Sequence, residues 1–176
     1  REILRPEFAP TVADCVNTRR PTEGVATCEL KVRSETFDKE HSMLIIDPAG
    51  QKNKRKKWIS LFEDVQAVLF VSSVAAYNEY NSDVGTEKTI FEDSVEAFKE
   101  LLKIPCFANT TIILVLNKLD LFKQKLENYP LHKHVKGAPK PYKTGAKYAS
   151  RNQNDALDYI EKMFFNLFDR HVDLLS

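Results

Sequence analysis

Short apolar stretches of strand length alternate along this chain with segments whose apolar residues recur every three or four positions. That change of period restricts the fold more than any other feature. Ala26, Cys28, Leu30 and Val32 alternate with Thr27, Glu29, Lys31 and Arg33, the period of a half-buried strand. Ser42–Asp47 is apolar on both faces, as a central strand would be. With a turn at Asp38-Lys39-Glu40, Lys39–Asp47 is expected to fold back on the first strand as a hairpin. Ala67–Val71 and Thr111–Leu116 supply two further strands. Helical spacing appears at Trp58, Leu61, Phe62 and Val65, and again at Ile90, Ser94, Ala97 and Leu101, flanked by Phe91, Val95, Phe98 and Leu102. Leu157, Ile160, Phe164, Leu167 and Phe168 mark a last long helix, with Asp155 near its N-terminal end. Residues 1–24, broken by Pro6, Pro10 and Pro21, read as a linker with a short helix around Val12–Val16. Strand–helix alternation of this kind predicts an α/β fold in three layers: a mostly parallel sheet with helices on both faces.

Composition removes several classes of function. The 26 basic and 25 acidic residues leave a net charge of +1, so the chain is no bulk polycation for coating nucleic acid. No apolar run approaches the ~18–20 residues that span a bilayer, and the start, Arg1-Glu2-Ile3-Leu4, is no signal peptide. Cys15, Cys28 and Cys106 are widely spaced and form no CxxC pair, which suits reduced thiols and argues against zinc. Asn109-Thr110-Thr111 is a formal glycosylation sequon, read here as the lead-in to a strand.

Parallel sheets place ligands in the loops at the carboxyl ends of their strands, and two such places carry informative residues. Asp47-Pro48-Ala49-Gly50-Gln51 directly follows the second strand. An aspartate there suits a hard cation held through its water shell. Gly50 lets backbone approach a phosphate closely, and Gln51 is placed to orient a water. A plain strand-to-helix turn with a capping aspartate is the other reading of the same residues. Asn117-Lys118-Leu119-Asp120 directly follows the fourth strand, about 70 residues on. The Asp120 carboxylate suits guanine, whose N1–H and exocyclic amine offer it two donors that adenine lacks. The stem of Lys118 suits the flat face of a base, and Asn117 suits bracing the loop.

On these residues the chain resembles the alpha subunit of a heterotrimeric G protein, from about residue 1 to about residue 168. Asp47-Pro48-Ala49-Gly50-Gln51 with Lys52–Trp58 resembles the family's DVGGQRxERRKW, Phe62-Glu63-Asp64-Val65 its FENV, and Asn109–Asp120 its NSSxILFLNKKD. Arg19-Arg20-Pro21-Thr22-Glu23-Gly24 resembles its first switch, RVxTTG. The resemblance implies a Ras-like P-loop GTPase domain over residues 17–176, with residues 1–16 as the end of an inserted helical domain and its linker. It implies binding of GTP or GDP with Mg2+ and slow hydrolysis of GTP. Arg19 would be the arginine finger and Gln51 the water-orienting residue. Thr22 and Asp47 would serve the magnesium, Gly50 the γ-phosphate, and Asn117, Lys118 and Asp120 the guanine. Implied partners are a beta-gamma dimer, a receptor, an effector and a GTPase-activating regulator, at the cytoplasmic, inner face of the plasma membrane. Membrane attachment would run through a lipidated N-terminal helix, and no nucleic-acid partner is implied.

Departures from the family pattern shape the expectation. No GxxxxGK[ST] phosphate loop occurs; in the family it lies ahead of the segment that residue 1 matches. The family's TCAT loop and receptor-binding helix find no match either, so the chain is expected to be a segment of a longer subunit. Lys54 stands where the family has Glu, Arg20 and Pro21 alter the first switch, and Ala49 replaces the first Gly of GGQ. A scaffold or binding module that does not turn over nucleotide is the alternative reading. A third reading rests on charge. Lys52–Lys57 carries five basic residues in six, and residues 128–150 carry Lys133, Lys136, Lys140, Lys143 and Lys147 with no acid. Such runs are usually solvated, but the second also suits an anionic surface.

Overall fold

A computed structural model describes residues 9–12, 24–34, 39–50, 62, 65–80, 88–108, 110–143 and 145–175. The chain divides into two compact units, Arg1–Trp58 and Ile59–Ser176. The boundary expected between residues 16 and 17, most of the first switch, and the helix expected from Trp58 lie largely or wholly outside the described residues, as does Asn109.

The first unit holds an antiparallel hairpin of β1 (Val25–Ser34) and β2 (Lys39–Pro48). Ten residue pairs run from Val25 opposite Pro48 to Ser34 opposite Lys39. Lys39 and Glu40 therefore belong to the strand rather than to a turn. The hairpin is as expected, but its surroundings are not. Apolar residues on both faces are exposed, among them Leu30, Val32, Met43 and Leu44, the last at 61%. Among the described residues β2 pairs with β1 alone, so neither the half-buried β1 nor the central β2 of the sequence reading is realised. Alternation reports which residues share a face; only a packed layer can bury that face.

The second unit is built on a parallel pair, β3 (Ala67–Ser73) and β4 (Thr111–Asn117). Their connection contains a buried 3₁₀ turn, Val74–Asn78, and helix α1 (Ile90–Leu102). Helix α1 starts where a capping box supplies partners for two otherwise orphaned amides. The Glu92 N–H donates to Thr89 Oγ1 at 3.1 Å, and the Thr89 N–H donates to Glu92 Oε2 at 2.8 Å. Phe91, Val95, Phe98 and Leu102 bury one stripe of α1. Helix α2 (Leu119–Asn128) follows β4 almost at once; the sequence reading did not anticipate it. Helix α3 (Ala149–Leu175) is entered from a 3₁₀ turn, Ala146–Tyr148. It therefore begins six residues before Asp155, which sits inside it.

The core lies on one face of the β3–β4 pair. Phe70 of β3 meets Phe98 of α1 at 5.0 Å between ring centroids and Phe164 of α3 at 6.4 Å. Phe91 and Phe98 both meet Phe164 edge-on, the geometry that ring quadrupoles favour. Ile112, Leu114 and Leu116 of β4 pack on the same cluster. On the opposite face Leu69 (63%), Val71 and Ile113 are exposed. The parallel ladder, its crossover helix and the helical layer against it are those of the expected α/β class.

Candidate functional site

Register places the ends of β3 and β4 level, with Ser73 opposite Asn117. Both chains leave the sheet at this carboxyl edge, where open α/β sheets hold their ligands. Asn117 is the last residue of β4 and Lys118 caps α2, with φ 61° and ψ 40°. Among the described residues Lys118 is the one non-glycine with a positive φ. A side chain in the left-handed region costs roughly 1–2 kcal/mol, so something local must hold it. The Lys118 N–H donates to the Asn117 side-chain oxygen at 2.8 Å, and the Lys118 carbonyl accepts from the Phe122 N–H at 3.0 Å. Phe122 is wholly buried, so the turn is fastened to the core through the first turn of α2.

This geometry explains the spacing of the motif. Asn117 closes a tight turn, Lys118 makes it, and Asp120 enters the first turn of α2 with its carboxylate exposed. A carboxylate accepts hydrogen bonds, which is what guanine's paired donors need. The three expected base-reading residues are therefore brought together on one short segment, and all three are exposed.

Helix α2 is clamped at its other end too. Lys125 Nζ donates to the Ala75 carbonyl at 2.9 Å and to Asn78 Oδ1 at 3.2 Å, and it pairs with the Glu79 carboxylate. The Tyr77 hydroxyl donates to the Tyr129 carbonyl, and its ring meets Phe122 edge-on at 5.6 Å. The segment after β3 and the segment after β4 are thus tied to each other behind Asp120. Neither Lys125 nor Tyr77 was picked out from the sequence. A lysine five residues beyond the Asn-Lys-x-Asp segment carries no signal of its own.

In the first unit Asp47 lies one residue from the end of β2, opposite Ala26, and is exposed. The buried Ala49 donates its N–H to the Gly24 carbonyl at 2.9 Å. This bond draws the start of β1 against the Asp47–Gly50 segment, and Thr22 lies two residues before Gly24 in sequence. A Cβ at Gly50 would meet nothing within 4 Å, so protein packing does not explain a glycine there. Arg19, Thr22 and Gln51 lie outside the described residues. No group of three or more His, Cys, Asp or Glu that could hold a metal occurs among the described residues. The described donor for a cation is the single carboxylate of Asp47, which fits a metal held through water rather than a protein cage.

Comparison with known proteins agrees with this geometry. The family profile described as the G-protein alpha subunit matches residues 1–173. The guanine nucleotide-binding protein alpha-8 subunit of Caenorhabditis elegans is 33% identical over 165 residues, covering 94% of this chain and 41% of that protein. The alpha-12 subunit of Dictyostelium discoideum is 30% identical over 170 residues, covering 94% of this chain and 46% of that protein. The alpha-2 subunit of Kluyveromyces lactis is 30% identical over 165 residues, 94% of this chain and 27% of that protein. The chain thus spans less than half the length of these relatives. With its parallel strands, crossover helix and Asn-Lys-x-Asp turn, this chain belongs to the G-protein alpha subunit family, whose domain is a Ras-like α/β fold.

Proposed function

We propose that this chain is the guanine-nucleotide-binding part of a G-protein alpha subunit, a switch that holds GTP or GDP with Mg2+ and resets by hydrolysing GTP. The observation that carries the reading is the Asn117–Asp120 turn: a left-handed lysine locked by Asn117, with Asp120 presented at a helix start on the carboxyl edge of a parallel strand. Asp120 accepts from guanine, the Lys118 stem lies along the base, and Asn117 holds the turn. Asp47 and Thr22 serve the magnesium, and Gly50 offers its N–H to the γ-phosphate. Arg19 stabilises the charge that develops in hydrolysis, and Gln51 orients the attacking water, as is established for this family. Held at Asp47 and Thr22, the metal would supply positive charge to offset that of the phosphate oxygens. The expected partners are a beta-gamma dimer, a receptor, an effector and a GTPase-activating regulator, at the cytoplasmic face of the plasma membrane.

The test is a titration of this chain with GTPγS and Mg2+, followed by the fluorescence of Trp58, the sole tryptophan, with ATPγS as control. A saturable change specific to guanine is expected. Asp120→Asn should lose guanine and gain xanthine, because an amide donates where the carboxylate accepted. In the complete subunit, Gln51→Leu and Arg19→Cys should retain GTP binding and slow phosphate release by orders of magnitude. A folded chain that shows no response overturns the reading for this chain and leaves the scaffold role. Unchanged hydrolysis in both variants removes Arg19 and Gln51 from catalysis.

A further inference from the structure

The basic stretch after α2 is a built surface rather than a loose loop. Leu131 and Val135 are buried in the core, so the segment is anchored at its start. Tyr159 of α3 donates its hydroxyl to the Lys136 carbonyl at 2.9 Å. Gly137 follows with φ +84°, and a Cβ there would sit 2.9 Å from the Tyr159 hydroxyl, so any other residue there would be strained. Pro139 and Pro141 bracket Lys140 and stiffen the backbone on either side of it. Asn152 of α3 then grips the far end: its Oδ1 accepts from the Tyr142 N–H and its Nδ2 donates to the Lys143 carbonyl, both at 2.9 Å.

What this frame displays is charge of one sign. Lys133, Lys136, Lys140, Lys143, Lys147 and Arg151 are all exposed, and no acidic residue lies between Asn128 and Arg151 in a chain whose net charge is only +1. Arg151 lies 3.8 Å from the carboxylate of Asp155, and that pair is itself exposed. Tyr142, 52% exposed, stands amid these cations.

We propose that the segment from Lys133 to Arg151 docks this chain on the anionic headgroups of a lipid bilayer. Two observations favour a lipid surface over nucleic acid. Five of the six cations are lysines, hydrated point charges suited to diffuse attraction rather than to bidentate reading. The aromatic faces that a base would stack on are already taken. The Arg151 guanidinium lies 3.9 Å from the Tyr142 ring centre, and Lys143 Nζ lies 5.5 Å from the centres of both Tyr142 and Tyr148. Tyr142 is exposed, and the amphipathic ring of a tyrosine suits headgroup depth. Docking is peripheral: among the described residues no helix is long and apolar enough to cross a membrane. The inference is independent of nucleotide binding.

Cosedimentation of this chain with vesicles tests it, using phosphatidylcholine alone or with about 30% phosphatidylserine as the anionic lipid. Binding is expected only to the anionic vesicles and should fall as salt shortens the Debye length. Each lysine near the surface is worth about fivefold in partitioning, so Lys140→Gln with Lys147→Gln should weaken binding about 25-fold. Both side chains are exposed, and the melting temperature should not move; equal melting separates lost docking from lost folding. Equal binding of parent and variant overturns the proposal, because the contact then lies elsewhere, for instance at Lys52–Lys57. So does absence of binding to anionic vesicles, or tighter binding to a single-stranded oligonucleotide than to them.

Discussion

Tyr77 is fully buried, with its hydroxyl donating to the Tyr129 carbonyl and its ring against Phe122 and His134. Burial disfavours the phenolate and raises its pKa from 10.0 to about 12. The fold therefore prefers the neutral phenol. Its contribution to stability is fully present below the unfolded pKa of 10.0 and is lost as pH rises through about 12. An ultraviolet alkaline titration should show a late ionisation step from Tyr77, and Tyr77→Phe should remove it. The variant should also cost about 1 kcal/mol near neutral pH, since the Tyr129 carbonyl loses its partner. A titration curve identical in the variant would mean that another tyrosine carries the late step. At this scale the sequence was informative about chemistry and silent about conformation. The sequence placed Asp47 at the end of one strand and Asp120 just beyond another, and the structure has them there. The left-handed Lys118 was not legible, because lysine gives no hint of positive φ; the Asn117 side chain and the buried Phe122 impose it.

Helix α2 shows the same division one level up. Its apolar residues are Leu119, Leu121, Phe122 and Leu126, with Lys123, Gln124 and Lys125 in a polar run between the last two, so the helical stripe is short beside that of α1 or α3. A helix this short is marginal alone; what holds it is the clamp of Lys125 and Tyr77 on the turn that follows β3. Lys125 is 27% exposed on its side chain, and it serves three acceptors. Lys125→Met should therefore lower stability by about 2 kcal/mol, in the range for hydrogen bonds to a charged group. Lys133→Met, on the exposed surface, should stay within about 0.5 kcal/mol. Thermal or urea denaturation of the two variants compares them directly, and equal effects would show that the clamp is idle. The strands and α1 were legible because period two and a dense 3.6-residue stripe survive in a short window. The early start of α3 was not, because Ala149–Asn154 carries no apolar stripe and is recruited by the turn before it.

At the scale of the whole molecule the two units differ in what supports them. The second has a core of stacked phenylalanines against a parallel pair. The first, among its described residues, is a two-stranded hairpin with apolar side chains exposed on both faces. A hairpin without a packed face is marginal in water. Amide exchange across β1 and β2 should accordingly be orders of magnitude faster than across β3, β4 and α1, as read by hydrogen–deuterium exchange with mass spectrometry. Equal protection would show that the hairpin is buried against something in solution.

By itself the sequence determined the types of β1 to β4, α1 and α3, the α/β class, the pairing of β1 with β2, and the positions of the two strand-end motifs. These are local properties: periodicity, turn residues and motif spacing are all written within a few residues of one another. Only the tertiary structure decided which face of β3 and β4 is covered, that Lys118 turns left-handed, that α2 exists, and that a run of lysines is braced into a surface. Each of these depends on contacts between residues far apart in the chain, such as Lys125 with Ala75 or Asn152 with Tyr142. No local pattern encodes a partner that arrives from another element.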